Sequence, residues 1–341
     1  MDFRVGDDER ALAEGVRAMV AGRLPLEHLR ANEGAEQAIG AADWAVLGET
    51  GIFALTLPEP AGTGLGLSDA VVVFEQLGRA LVPGPLVGTF LAASAGLIEG
   101  SADGRAQVGL HCAGPGPILV EHLSSLDGLL VLPAYDRRST PRLLSPAPAA
   151  DAPGAIRVAA PLDPLTPLWR LESLPAGEPV ADAAGHMMRD GSLLTAALQV
   201  GHATEALDLA VAYAKERHQF GKPIGSFQAV QHMCADMLVR AEVARAAVHA
   251  AACLADEPDV VTSEAEAAGC SPVELVDRAV MGAKLLADEA ALANARTAIQ
   301  VHGGMGYTWE VPLHLHLKRS RVLATTFGAP AELALAISAF V

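Results

Sequence analysis

Two stretches decide how this chain is interpreted: residues 217–225, which read RHQFGKPIG, and residues 300–308, which read QVHGGMGYT. Each places a cation or an amide beside glycines, between segments of helical periodicity. Arg217 offers a planar fork of donors to a diphosphate. Gly303 and Gly304 let backbone N–H groups approach the same anion, because no Cβ stands in the way. Together the two stretches predict a site for a phosphate-bearing cofactor.

Composition places the chain among ordinary globular proteins. Its 341 residues are enough for two or three domains with a well-buried core. Hydrophobic residues make up 51% and the mean hydropathy is +0.31, yet no uninterrupted apolar stretch reaches the ~20 residues of a membrane-spanning helix. The N-terminus lacks the basic and then apolar layout of a secretory signal. We therefore expect a cytoplasmic protein with no membrane partner.

Charge and cysteine content narrow the possible partners. The formal net charge is -16 and the sequence pI is near 5.0, so repulsion by phosphates makes nucleic acid a poor partner. The four cysteines show no metal-binding spacing, and a chain of this length does not need disulfides to hold its fold. We expect reduced thiols, no zinc site and no nucleic-acid partner.

Hydrophobic periodicity divides the chain into three regions. Residues 1–99 favour helices, residues 100–184 carry short apolar runs separated by turn residues, and residues 185–341 favour long helices. The abundant alanines of the last region let its helices pack closely. We predict an α+β fold class with an N-terminal α-helical domain, a small middle β domain and a C-terminal four-helix bundle.

Further stretches extend the two motifs into a recognisable order. Residues 226–232 (SFQAVQH) continue the first motif, and residues 44–68 with 74–81 form a third informative region. Together these regions resemble the acyl-CoA dehydrogenase family of flavoproteins. The resemblance implies FAD as the cofactor, an acyl-CoA thioester as the substrate and an electron acceptor such as an electron-transfer flavoprotein. It places the contacts to FAD at Arg217, Gln219, Phe220, Gly221, Gln300, Gly303 and Gly304.

The resemblance also implies a catalytic base, and here the chain departs from the family. Members use a carboxylate to remove the α-proton of the thioester while a hydride leaves the β-carbon for the flavin. In many members a Glu precedes Gly-Thr near the C-terminus, at the position of Phe327. Other members place the Glu at the position of Gly191, so neither expected base is present. Two other carboxylates lie near these positions. Asp190 is either a base, if the helix start shifts, or a plain N-cap, and Glu332 is better explained as a cap or a solvent-facing residue.

The middle region departs from the family as well. Typical members carry Thr-Glu and Gly-Ser-Asp stretches that hold the flavin ring, and no counterpart occurs between Val108 and Leu132. Trp169 is either an aromatic lying against the ring or a core tryptophan. The residues that would hold a flavin ring in this chain are therefore incomplete.

The retained residues form a coherent subset. In homomeric members, the Arg-x-x-Phe-Gly and Gln-x-x-Gly-Gly segments cross the dimer interface to the adenosine diphosphate end of the neighbouring subunit's FAD. This chain keeps those segments and lacks the base and ring-binding segments. It resembles the smaller, non-catalytic member of two-subunit acyl-CoA dehydrogenases of actinobacterial sterol side-chain and polyketide-like pathways, which have an α2β2 arrangement.

Alternatives remain open for the whole protein and for single residues. The chain could be a self-sufficient homo-oligomeric dehydrogenase using Asp190 or another carboxylate, or a flavin-free scaffold or redox-neutral enzyme on the same fold. Arg217 could instead pair with Glu216 or solvent, and Phe220 is as compatible with a core residue as with a flavin contact. A solvated or interfacial cationic face is expected from Lys318, Arg319 and Arg321.

Overall fold

A computed structural model describes residues 3–114, 116–133, 140–181 and 185–338. The helices are α1 (Asp7–Arg23), α2 (Leu26–Arg30), α3 (Ala41–Glu49), α4 (Leu67–Arg79), α5 (Leu86–Ser94), α6 (His186–Glu216), α7 (Gln228–Asp256), α8 (Pro258–Ala268), α9 (Pro272–His302), α10 (Leu313–Leu323) and α11 (Pro330–Ser338). The strands are β1 (Val108–Cys112), β2 (Ile118–Glu121), β3 (Gly128–Leu132), β4 (Arg142–Leu144), β5 (Ile156–Arg157), β6 (Leu168–Leu171), β7 (Glu178–Pro179), β8 (His218–Gln219) and β9 (Lys222–Pro223). The predicted domain boundary at residue 184 lies outside the described residues.

Helices occupy both ends of the described chain and two small sheets lie between them, which confirms the predicted α+β class. One sheet has the order β1-β3-β4-β7, with β1 and β3 parallel, and the other has the order β2-β6-β5. Trp169 is 1% exposed and packs with Val120 and Leu129 in the core of this region, so its core interpretation is confirmed. None of the helices within the described ranges is long and apolar enough to cross a membrane.

The long helices α6 and α9 run side by side in the same direction. Near their middle, Gln199 Nε2 donates a hydrogen bond to Asp288 Oδ1 at 2.9 Å. Near their ends, the rings of Tyr213 and His302 stack with centroids 4.2 Å apart. Because residue numbers rise together along the contact, the C-terminal ends of α6 and α9 meet at the same end of the bundle.

Helix α4 crosses α6 through a contact between their backbones. A Cβ on Gly78 would lie 2.2 Å from Leu198 O, and a Cβ on Gly201 would lie 2.2 Å from Glu75 O. Only glycine fits at both positions without moving a helix. This close approach fixes the N-terminal helices against the bundle, and it forms part of the wall of a cavity described below.

A histidine ties the N-terminal segment to α7. His249 Nε2 lies 2.9 Å from Glu9 Oε1, Nδ1 lies 3.2 Å from Phe3 O, and Cys253 Sγ lies 3.7 Å from the same Nδ1. The contact with Cys253, and then that with Glu9, raise the pKa of His249 to about 9, although desolvation opposes them. Protonated His249 therefore stabilises the attachment of the N-terminal segment.

We expect the protein to lose stability as the pH rises from about 7 to about 9.5. A histidine whose folded pKa is about 9, above its ordinary value of 6.5, contributes stability that is complete below pH 6.5 and is lost as the pH rises through the folded value. The His249→Gln variant should lack this component. Urea midpoints of both proteins at the two pH values check the expectation, and an equal decline in both would contradict it.

Candidate functional site

The shared end of α6 and α9 carries both sequence motifs. Arg217 directly follows α6 and Gly303 directly follows α9. Short side chains let the two backbones approach each other beneath the motifs. The buried alanines at this contact are Ala206, Ala210, Ala214 and Ala298. The structure therefore brings together the two stretches, which lie some eighty residues apart in the sequence.

Residues 218–223 form a tight hairpin that directs Phe220 outward. β8 and β9 pair with Gln219 opposite Lys222, which leaves Phe220 and Gly221 as the two turn residues. Both have positive φ, 54° and 77°, as in the type I′ turn common in short hairpins. The Phe220 side chain is 92% exposed, so its interpretation as a core residue is wrong. This side chain is available for contact with another molecule.

Gly303 and Gly304 lie on an open surface. Gly303 has φ 58° and donates its N–H to Gln300 O. A Cβ on either glycine would meet no atom of the described chain within 4 Å. A Cβ on Gly306, by contrast, would lie 2.6 Å from Ile299 O. The packing of the chain itself therefore requires Gly306, whereas Gly303 and Gly304 leave room for a second molecule.

The Arg217 side chain is exposed at the same end of the bundle as these glycines. Within the described residues, no hydrogen bond or ion pair holds its guanidinium, and pairing with Glu216 does not occur. An exposed guanidinium beside Cβ-free backbone suits an anion such as a diphosphate. We call this region the bundle-end surface and define it as Arg217, Gln219, Phe220, Gly221, Gln300, Gly303 and Gly304.

A separate cavity of about 500 Å³ lies elsewhere in the chain. Its walls come from the connection between α4 and α5, from β1 and β2, and from α6 and α10. On α6 the lining residues are Thr195, Leu198 and His202. From His202 to the end of α6 the helix rises about 21 Å, at 1.5 Å per residue. Among the lining residues that the structure describes, none belongs to the bundle-end surface.

Glu121, the last residue of β2, is the acidic residue among the described side chains that line this cavity. Its side chain is half-buried. Desolvation raises the pKa of Glu121 to about 7, although the attraction of Arg319 opposes the shift. The sequence motifs did not indicate Glu121 as a functional residue. The sequence signal that could have identified Glu121 is a carboxylate at the end of an apolar strand. A carboxylate in such a place is partly desolvated by the apolar side chains around it, which shifts its pKa.

Arg319 on α10 is buried, so its predicted place on a solvated or interfacial cationic face is wrong. Its Nε donates to Asp163 Oδ2, and its Nη1 donates to Val82 O at 3.3 Å. Thr166 Oγ1 donates a hydrogen bond of 2.7 Å to the same carboxylate oxygen. Arg319 Nη2 is buried and has no partner among the described residues. Arg319 thus leaves one unsatisfied donor in the cavity wall.

Comparisons with known proteins identify the family. Residues 6–107 match the acyl-CoA dehydrogenase N-terminal domain, and residues 181–339 match the acyl-CoA dehydrogenase C-terminal domain. Acyl-CoA dehydrogenase IpdE2 of Mycobacterium tuberculosis is 34% identical over 333 residues, which cover 96% of this chain and 95% of the relative. IpdE2 of Mycolicibacterium smegmatis is 33% identical over 349 residues, covering 96% and 97%. The chain belongs to the acyl-CoA dehydrogenase family.

Solved structures show the acyl-CoA dehydrogenase fold over nearly the whole chain. The ChsE4-ChsE5 complex from Mycobacterium tuberculosis gives a TM-score of 0.80 at 22% identity, covering 99% of this chain and 98% of that one. The Tcur3481-Tcur3483 steroid ACAD variant gives 0.78 at 25% identity, with coverage of 99% and 98%. Butyryl-CoA dehydrogenase from Megasphaera elsdenii gives 0.78 at 18% identity, with 99% coverage of both chains.

The two positions at which acyl-CoA dehydrogenases are expected to carry the base lie in contact. A Cβ on Gly191 would lie 2.2 Å from Phe327 Cζ. Phe327 is fully buried and has φ 60°, a left-handed conformation that a bulky residue keeps only where its surroundings hold it. The phenyl ring of Phe327 therefore fills the space beside Gly191, into which a side chain at that position would project.

Asp190 lies next to this contact but outside the cavity. Helix α6 begins at His186 with Gly185 as its N-cap, so the interpretation of Asp190 as an N-cap is wrong. Asp190 Oδ1 accepts a hydrogen bond from Arg189 Nε at 2.7 Å. Its role as a base stays a prediction, and Asp190 is not among the described residues that line the cavity.

No group of three or more His, Cys, Asp or Glu within the described ranges could hold a metal ion.

We expect the Gly191→Ala substitution to destabilise the protein by about 1–3 kcal/mol, because the new methyl group overlaps a buried ring. Adding Phe327→Leu should relieve part of this cost, so the two substitutions should couple in a double-mutant cycle of urea unfolding. Gly282→Ala is the matched control, since a Cβ there meets nothing within 4 Å. Additive effects of the Gly191 and Phe327 substitutions would show that the ring does not fill this space.

Proposed function

We propose that this chain is the partner subunit of a two-subunit acyl-CoA dehydrogenase and completes the FAD site of a larger, catalytic subunit. The observation that carries the proposal is the separation within the chain. The bundle-end surface is exposed and open, whereas the cavity lies about 21 Å away along α6. A cofactor held by the bundle-end surface would therefore extend away from this chain toward another protomer.

The residues of the bundle-end surface fit the diphosphate of FAD. Arg217 would donate two parallel hydrogen bonds to phosphate oxygens. Gln300 would add a neutral donor, while Gly303 and Gly304 would let the backbone approach the same anion. Phe220, held outward by the turn, would pack against the cofactor or the partner. When bound, FAD supplies the oxidising power, because it accepts the hydride removed from the β-carbon of the acyl thioester.

Phe327 supports the assignment of the base to the partner. Because its buried ring occupies the space beside Gly191, neither position offers a carboxylate to an acyl thioester. A larger subunit with an intact Glu would supply that base and would hold the flavin ring. The Tcur3481-Tcur3483 steroid ACAD, which is 25% identical to this chain, has a name that joins two proteins. Its name supports an assembly of two different subunits that acts on a lipid or steroid acyl-CoA.

Co-expression tests the proposal. The chain is purified alone and together with a larger homologue encoded in an adjacent reading frame, and the flavin content is measured by visible absorption alongside acyl-CoA turnover. A colourless chain that gives a yellow, active pair supports the partner role. Stoichiometric FAD with turnover in the chain alone would instead establish the homo-oligomeric enzyme. A chain that stays colourless with every co-expressed neighbour would favour the flavin-free scaffold or a redox-neutral enzyme.

A further inference from the structure

A cysteine, a histidine and a glutamate are aligned where the N-terminal segment meets the end of α7. Cys253 and His249 lie one helical turn apart on α7, with Cys253 Sγ 3.7 Å from His249 Nδ1. The other ring nitrogen, Nε2, lies 2.9 Å from Glu9 Oε1 on α1. A thiol facing an imidazole that a carboxylate orients is an arrangement that activates cysteine as a nucleophile. We call Cys253, His249 and Glu9 the thiol cluster.

His249 brings a positive charge to this cluster. Its raised pKa of about 9 keeps the ring protonated at neutral pH. An imidazolium donates from both nitrogens, so Nε2 donates to Glu9 while Nδ1 faces both Phe3 O at 3.2 Å and the Cys253 sulfur. A positive charge beside a sulfur favours the thiolate, which is the nucleophilic form of cysteine.

The other three cysteines lack this combination of features. Burial raises the pKa of Cys112 to about 11 and also raises that of Cys234, so both remain thiols at neutral pH. Cys270 lies between α8 and α9 and is half-buried, as Cys253 is, but no histidine faces its sulfur within the described residues. In the part of the chain that the structure describes, Cys253 alone joins partial exposure to a protonated histidine.

The surroundings of the thiol cluster are acidic. Asp69, in the first turn of α4, lies close enough to Glu9, Asp256 and His249 for its charge to interact with theirs. Three carboxylates therefore surround one imidazolium, which disfavours an anionic reagent and favours a cationic one. The other charged groups around His249 are paired, Arg245 with Glu75 and Arg10 with Asp7.

We propose that Cys253 is a modification site, which forms a mixed disulfide with a cationic disulfide of low molecular weight. The Cys253 thiolate attacks one sulfur of the reagent, so that a new S–S bond forms and the reagent's own S–S bond breaks. The departing sulfur keeps the electron pair and takes up a proton from solvent. Cys253 is thereby oxidised and half of the reagent is reduced, so no further oxidant is needed.

The site is remote from the proposed FAD contacts and does not rest on the partner role. Gln228 begins α7 close to the bundle-end surface, and Cys253 lies near the other end of this helix. The helix rises about 38 Å between these two residues, at 1.5 Å per residue. Among the described residues that line the cavity of about 500 Å³, none belongs to the thiol cluster.

Modification of Cys253 should loosen the N-terminal segment. A substituent on the sulfur removes the thiolate that faces His249 Nδ1 and adds bulk beside the contacts of His249 with Phe3 and Glu9. A cavity of about 130 Å³ lined by α1, α4, α6 and α7 lies on this side of His249. The segment therefore packs incompletely and depends on such contacts for its attachment.

Peptide mass spectrometry of the full chain treated with cystamine tests the site. At about pH 7, Cys253 should be modified at least about tenfold faster than Cys270, which is the internal control. This advantage should disappear by about pH 10, because His249, with a pKa of about 9, has then lost its proton. The His249→Gln variant should lack the advantage at neutral pH. Equal rates at the two cysteines of the unmodified sequence, or an undiminished advantage in His249→Gln, would overturn the proposal.

A second disulfide tests the predicted charge of the reagent. Dithiodipropionate is similar in size to cystamine but carries two negative charges. It should modify Cys253 at least about fivefold more slowly than cystamine at low salt, and high salt should narrow the difference. Equal rates for the two reagents at low salt would overturn the assignment of a cationic partner.

Limited proteolysis measures the effect on the N-terminal segment. Trypsin should cleave after Arg10 at least about threefold faster in the mixed disulfide than in the reduced chain, because cleavage follows local opening. Dithiothreitol should reverse the change. Cys253→Ser treated with cystamine is the matched control and should be cleaved at one rate with and without the reagent. Equal cleavage of the reduced and modified chains would contradict the proposed loosening.

Discussion

Replacing Arg217 with alanine is expected to weaken the binding of FAD to the assembled pair of subunits. The substitution removes the exposed guanidinium that is proposed to grip the diphosphate, and hydrogen bonds to charged groups contribute about 1.5–3 kcal/mol. We therefore expect FAD affinity to fall roughly 10- to 150-fold, with dehydrogenase turnover falling in parallel at limiting FAD. Fluorescence titration of the deflavinated pair with FAD measures the change. The thermal stability of the chain alone should change little, because no side-chain hydrogen bond or ion pair holds Arg217 within the described residues.

Two controls make this expectation specific. Arg217→Lys keeps the charge but loses the bidentate geometry, so its FAD affinity should lie between those of wild type and Arg217→Ala. Arg23→Ala removes an exposed arginine at the end of α1 and should leave FAD affinity unchanged. If Arg217→Ala and Arg23→Ala retain FAD equally well, the cofactor is held elsewhere.

Replacing Asp288 with asparagine is expected to destabilise the folded protein by about 3–5 kcal/mol, since it leaves the ammonium group of Lys284 buried without a counter-charge. Lys284 Nζ lies 2.8 and 2.6 Å from the two carboxylate oxygens of Asp288 and 3.1 Å from Leu323 O. Both side chains are almost completely buried, at 0% and 1% exposed. Burial lowers the pKa of Lys284 and raises that of Asp288, and their mutual attraction opposes both shifts.

The double variant Lys284→Met, Asp288→Asn provides the control. It removes both charges, while the asparagine oxygen still accepts the hydrogen bond from Gln199. We expect it to recover most of the stability lost in Asp288→Asn, because the penalty comes from an unpaired charge and not from lost packing. Urea midpoints of the three proteins measure the effect. A double variant no more stable than Asp288→Asn would contradict this expectation, because the penalty would then not come from the unpaired ammonium group of Lys284.

The order of the elements could be predicted from local sequence patterns, and the position of individual side chains could not. Helical periodicity and turn residues separated the helical ends from the middle strands. The start of α6 at His186 was harder to predict, because the residues before the apolar stripe carry only weak helix-start signals. Asp190 consequently lies inside the helix, where an N-cap role is excluded.

Side chains whose surroundings come from distant parts of the chain were the least predictable. Arg319 stands in a cationic stretch that resembles a solvated face, yet Asp163, far away in sequence, pairs with it in the interior. Glu121 acquires its raised pKa from a cavity that several separate elements enclose. Arg217 and Gly303, in contrast, could be predicted to cooperate, because both follow long helices and the motifs themselves suit one anion.

The structure of the co-purified pair with bound FAD tests the central claim most directly. We predict that the diphosphate lies within hydrogen-bonding distance of Arg217 and of the Gly303–Gly304 backbone, with the flavin ring enclosed by the larger subunit. FAD bound inside this chain's own cavity, or a bundle-end surface that faces solvent in the assembled pair, would contradict the account.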